Sequence, residues 1–111
     1  MIEATGIFDD IANLLALRPG VSRSKMFGMP AVKVNGKAFI GLRMDKMVFK
    51  LDEAERHTAL KLAGARFFEP MEGRAMKEWV EVPVSLVPEG TLQQLAEAAL
   101  IYVRKLSETT K

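Results

Sequence analysis

A chain of 111 residues, 49% hydrophobic and 27% charged, is long enough for one compact domain and short for two. By surface scaling such a domain buries roughly 65% of the surface its unfolded chain exposes, so it folds without disulfides or a metal. The absence of cysteine excludes thiol catalysis, thiolate zinc sites and a disulfide framework together, and a net charge of +2 is too small to argue for nucleic acid by itself.

Met1-Ile2-Glu3-Ala4 opens no basic region followed by a long apolar run, and no uncharged apolar span reaches about 18 residues. A cytoplasmic protein without a membrane segment is therefore expected. Ile7, Ile11, Leu14 and Leu15, with Phe8 alongside, recur at helical spacing after a candidate cap at Thr5, and Arg18-Pro19-Gly20 supplies the stop.

From Val21 the period becomes alternating. An extended segment is expected at Arg23 to Phe27, and Val34-Asn35-Gly36-Lys37 predicts a hairpin, because an Asn-Gly pair accepts positive φ at both central positions. A second two-residue turn at Asp45-Lys46 would place Met44 opposite Met47, Leu42 opposite Phe49 and Ile40 opposite Leu51. Those residues, with Ala38, form the expected buried face. The reverse face would carry Val32, Val34, Lys37, Phe39, Arg43, Val48 and Lys50, with Lys33 on the other side. Its mixed character calls for a covering element or a second subunit.

Asp52 with Glu55 predicts a capped helix that ends at Gly64. Phe67 and Phe68 return the chain to the sheet, Pro70 to Arg74 reads as a loop, and Trp79 to Val82 as a strand ended by Pro83. Thr91 with Gln94 suggests a capping box for a last helix with a stripe at Leu92, Leu95, Ala96, Ala99, Val103 and Leu106, followed by a fraying tail from Ser107. The order predicts an α+β domain, a mainly antiparallel sheet with flanking helices, over residues 1–111.

The chemistry is sparse. The sole histidine, His57, defines no catalytic geometry and no metal site, and Asp9-Asp10 diverge by about 100 degrees around their helix. Neither glycine-rich nucleotide signature occurs, and the six internal methionines fit core packing or an adaptable contact surface better than a soft-metal site. No catalytic residue, metal ligand or cofactor is therefore assigned. An enzyme would need distant groups such as His57, Glu69 and Arg74 to converge.

Lys25-Met26-Phe27-Gly28-Met29-Pro30, Val34-Asn35-Gly36-Lys37-Ala38-Phe39 and Val48-Phe49-Lys50-Leu51-Asp52, followed by Arg66-Phe67-Phe68 and Trp79-Val80-Glu81-Val82-Pro83, form a longer pattern. In order and spacing it resembles the TfoX N-terminal-domain family and its YjbR-like relatives, from about Phe8 to Val103. The resemblance implies a fold of the type-III-secretion-chaperone-like class. In the competence regulator TfoX a separate helical C-terminal domain follows, for which this chain has no room, so the full competence-regulator activity is not carried over. The family pattern supplies no catalytic signature.

The expected function is a small non-enzymatic regulatory or protein-interaction domain, able to form a homodimer. In its motif Phe27 would anchor the early strand, Gly28 would admit a close backbone approach, Pro30 would limit edge pairing and Trp79 would cover the sheet. The candidate contact surface is Lys25, Phe27, Gly28, Met29, Pro30, Arg74 and Trp79. The alternative is a nucleic-acid-binding accessory protein using Arg23, Lys25, Lys37, Arg43 and Lys50 as a phosphate strip.

Overall fold

The computed structural model describes residues 4–71 and 73–109; the side chains of Met71, Arg74 and Thr109 lie outside the description. In chain order the elements are α1 (Ala4–Leu15), β1 (Val21–Met26), β2 (Met29–Val34), β3 (Lys37–Arg43), β4 (Lys46–Lys50), α2 (Glu53–Ala59), β5 (Arg66–Met71), β6 (Arg74–Pro83), a 3-10 turn (Val84–Leu86) and α3 (Glu89–Thr109). The six strands form one antiparallel sheet in the order β1-β2-β3-β4-β6-β5. The expected α+β architecture is thus the observed one.

One face of the sheet packs on α1 and α3. Phe8, Ile11, Ala12 and Leu15 of α1 and Leu92, Ala96, Ala99, Leu100 and Val103 of α3 meet Val32, Ile40, Phe49, Val80 and Val82 in a continuous apolar core. Burial of these faces, worth roughly 25 cal/mol per Å² of apolar surface, is what holds the helices on the sheet. Leu14 is exposed, one step off this stripe. α1 begins before Thr5, and α3 begins at Glu89 with the Thr91 N–H bonded to the Pro88 carbonyl, so neither threonine is a cap. The last helix also continues through Ser107, where a frayed tail was expected. The Asp52 cap is present, its side chain accepting the Glu55 N–H at 2.9 Å, but α2 ends at Ala59, short of Gly64.

Two local events re-aim the expected sheet faces. The turn between β3 and β4 is Met44-Asp45, not Asp45-Lys46, so that Arg43 opposes Lys46, Leu42 opposes Met47 and Ile40 opposes Phe49. The Asp45 carbonyl accepts the Val84 N–H at 3.0 Å, which anchors the earlier turn. The core face survives because opposed partners move by two residues, and Met44 leaves it for solvent.

The second event is a bulge. Ala38 opposes Lys33 whereas Ile40 opposes Val32, which leaves Phe39 as an extra residue on β3. Phe39 and Ile40 are both buried in the helix-side core. Strict alternation therefore misplaces six residues: Val32, Val34, Lys37 and Phe39 lie on the helix side, and Lys33 and Ala38 lie on the reverse face.

That reverse face carries no helix. Its centre is Val48, Phe68 and Trp79, all buried, with Met26, Met29, Ala38 and Met76 packed around them. Arg43 of β3 donates to the Glu69 carbonyl of β5 at 2.5 Å, although β4 and β6 lie between those strands in the sheet. β5 therefore bends across the back of the sheet, and its ladder with β6 slips on both sides of Phe68 to allow it. The chain's own β5 supplies cover for this face.

Candidate functional site

The residues of the family pattern converge on the tip of the β1–β2 hairpin. Met26 pairs with Met29, leaving Phe27-Gly28 as a two-residue turn with φ of 52° and 77°. Positive φ at both central positions suits the right-handed twist of the flanking strands but not a bulky side chain, for which the left-handed region costs about 1–2 kcal/mol. Phe27 is nevertheless 64% exposed. It is a strained turn residue presented to solvent, and not the strand anchor expected from its place after β1. A Cβ on Gly28 would meet nothing within 4 Å, so the glycine serves the turn's φ and not a close approach.

Lys25 and Pro30 oppose each other just behind this tip and are exposed, while Met29 is half-buried towards Val48, Phe68 and Trp79. Five of the seven expected contact residues are thus brought together. Trp79 is not among them: it is 5% exposed on β6, its ring centroid 6.4 Å from that of Phe68. It covers the sheet, as expected, but offers no free surface. Arg74 starts β6 opposite Met71, and its side chain lies outside the description, while Glu72 lies outside the described residues altogether.

The five cations of the phosphate strip do not form one. Arg23 donates to Asp9 at 2.7 Å and to Asn13 at 3.1 Å and lies 5.7 Å from the Phe8 ring centroid, clamping β1 to α1. Lys25 lies two residues along the same face of β1, and Lys37 opposes Val34 of the helix-side core. Arg43 and Lys50 sit on the reverse face, Arg43 over the Phe68 ring and Lys50 3.5 Å from Glu78. The bulge brings Lys33 to that reverse face and takes Lys37 from it, the opposite of the alternation-based assignment.

One feature of the reverse face escaped sequence reasoning. Glu81, the buried charged residue of the described core, opposes both Val48 and Arg66 and accepts from Arg66 Nε at 2.8 Å. The hydrogen bond and the negative charge of Glu81 raise the Arg66 pKa from its ordinary value, and Glu69 adds to the effect against a small desolvation. The signal was available in Trp79-Val80-Glu81-Val82, where alternation puts an acid on the tryptophan's side of the strand. His57 is exposed on α2, and among the described residues no group of three His, Cys, Asp or Glu could hold a metal.

A sequence model described as the TfoX N-terminal domain matches residues 13–101. The chain belongs to the TfoX N-terminal domain family. The matched span takes in every strand of the sheet, so the strained hairpin tip and the Arg66–Glu81 pair both lie within the TfoX N-terminal domain. No curated protein and no solved structure matches the chain. Among the described residues no helix is long and apolar enough to cross a membrane.

Proposed function

We propose that this TfoX N-terminal domain is a non-enzymatic, regulatory protein-interaction module that docks a protein partner through the β1–β2 hairpin tip. The observation that carries the reading is Phe27. A large aromatic ring held in a left-handed turn and exposed to water gains nothing for the fold, whereas aromatic side chains are favoured anchors at protein interfaces. Lys25 and Pro30 flank it with a polar and an apolar shoulder, and the two-residue turn limits the motion to be lost on binding. The non-enzymatic part rests on the sequence, in which no nucleophile, base and orienting group share a motif.

The partner is a different protein or a second copy of this chain, and light scattering at micromolar concentration separates the two. Affinity capture from native cells with the natural chain and with Phe27→Ser then tests the surface. A partner, or a self-associated species, that is retained by the natural chain and lost with Phe27→Ser is the expected result. A strictly monomeric protein with no reproducible partner, or one whose partner ignores Phe27→Ser, would refute the reading.

A further inference from the structure

Away from the hairpin tip, at the opposite end of β3, the strand register gathers charge of one sign. Arg43 ends β3 and opposes Lys46, which starts β4; like charges directly opposite on a sheet repel. Arg66 starts β5 and reaches the same place through its pairing with Glu81 on β6. These four side chains and Met44 line a cavity of about 130 Å³ on the helix-free face. Three cations and one buried carboxylate thus line the same cavity.

Each cation is held without being saturated. Arg43 is fixed by the Glu69 carbonyl and by the Phe68 ring beneath its guanidinium, neither of which neutralises it. Arg66 meets Glu81 through Nε, and among the described residues no acceptor is bonded to its two terminal nitrogens. Lys46 lies 3.3 Å from Asp45, whose carboxylate is exposed on the turn outside the cavity lining. Glu81 cannot turn to water as a surface acid would, so it holds Arg66 at the rim.

We propose that this cavity binds a single oxyanion, the phosphate or carboxylate group of a small ligand. The charge of the lining requires an anion, and two guanidinium groups offer planar donor forks that match either oxyanion. Size limits it to one group: the volume corresponds to about four waters at roughly 30 Å³ each, well below the roughly 300 Å³ at which pockets for drug-sized ligands begin. The site is distinct from the Phe27 surface and stands or falls independently of it.

Titration of the full chain with sodium phosphate and, separately, sodium acetate at constant ionic strength, followed by backbone amide NMR shifts, tests the proposal. Saturable shifts concentrated at Arg43 to Met47 and at Arg66 are expected, and whichever salt saturates at the lower concentration identifies the oxyanion. Lys46→Gln removes one cation without orphaning Glu81, and it should weaken binding about tenfold, the value of one charge-assisted hydrogen bond. Arg43→Lys, which keeps the charge and removes the fork, provides the second folded variant and should also weaken it. Lys105→Gln on α3 should change nothing. Shifts that never saturate with either salt, or affinities that both cavity variants leave untouched, would overturn the site.

Discussion

Two hairpin turns of this molecule share a backbone conformation and differ in their first residue and in what holds it. Asn35-Gly36 and Phe27-Gly28 each join two strands with both central φ angles positive, 52° and 82° in one and 52° and 77° in the other. Asn35 is suited to that conformation and is tied down. Its N–H donates to the Gly20 carbonyl at 2.8 Å, and its Nδ2 donates to Ser107 Oγ at 3.0 Å. Ser107 in turn donates to the Arg104 carbonyl, and Arg104 to that of Pro19. The turn therefore staples the α1–β1 loop to the end of α3. Among the described residues no hydrogen bond ties Phe27-Gly28 to another element, and its first residue is the wrong type for its φ. At Asn35 residue type and conformation agree and the turn serves the fold; at Phe27 they conflict in the open, and that conflict is the ground for the proposed docking role.

The comparison breaks first at Gly20. Its φ is 76°, and a Cβ there would lie 2.5 Å from Asn35 Oδ1, so Gly20→Ala both strains its own backbone and displaces the amide that docks the turn. A loss of about 2–3 kcal/mol in urea denaturation is expected, from the left-handed penalty plus one hydrogen bond. A loss below about 1 kcal/mol would show that the loop and the turn relax independently.

Asn35→Ala should cost less, about 1–2 kcal/mol, since the backbone bond to Gly20 remains while the bond to Ser107 and the tolerance of positive φ are lost. Ser107→Ala removes the same side-chain bond alone and should cost about 0.5–1.5 kcal/mol. Because the two residues share one interaction, the double variant should be less destabilised than the sum of the singles. Additive losses would mean that the 3.0 Å contact carries no stability in solution.

These two turns also measure what a sequence discloses. Asn35-Gly36 was legible because its residue types state the turn, and the pairing of Val34 with Lys37 follows. Phe27-Gly28 was not, because phenylalanine signals a strand and nothing local says that it sits at positive φ. The Met44-Asp45 turn was misplaced by one residue for the same reason, Met44 taking φ of 58° where Asp45 is the better turn former. Helix faces were readable from period, and so was the Asp52 cap, whose bond is local. The bulge at Phe39 was invisible, since alternation has no mark for an inserted residue, and with it went the side of the sheet assigned to Lys33 and Lys37. The family's contact residues were legible as a motif, yet their separation into an exposed tip and a buried Trp79 depends on β5 crossing the back face, which is a long-range event.

The smallest stability effect carries the most information. Phe27→Asn gives the exposed turn the residue its twin already has, so the strain at φ 52° is relieved while a ring that is 64% exposed takes little packing with it. The variant should unfold at higher urea, with a gain of up to about 1 kcal/mol, and should lose partner capture. Opposite signs for stability and binding are what separate a recognition residue from a structural one: a packing role would lower both, and an idle residue would leave binding untouched. A destabilised Phe27→Asn would place the ring in the fold's service and remove the contrast with Asn35. A stabilised variant with intact capture would leave the strain real but move the interface elsewhere on the domain.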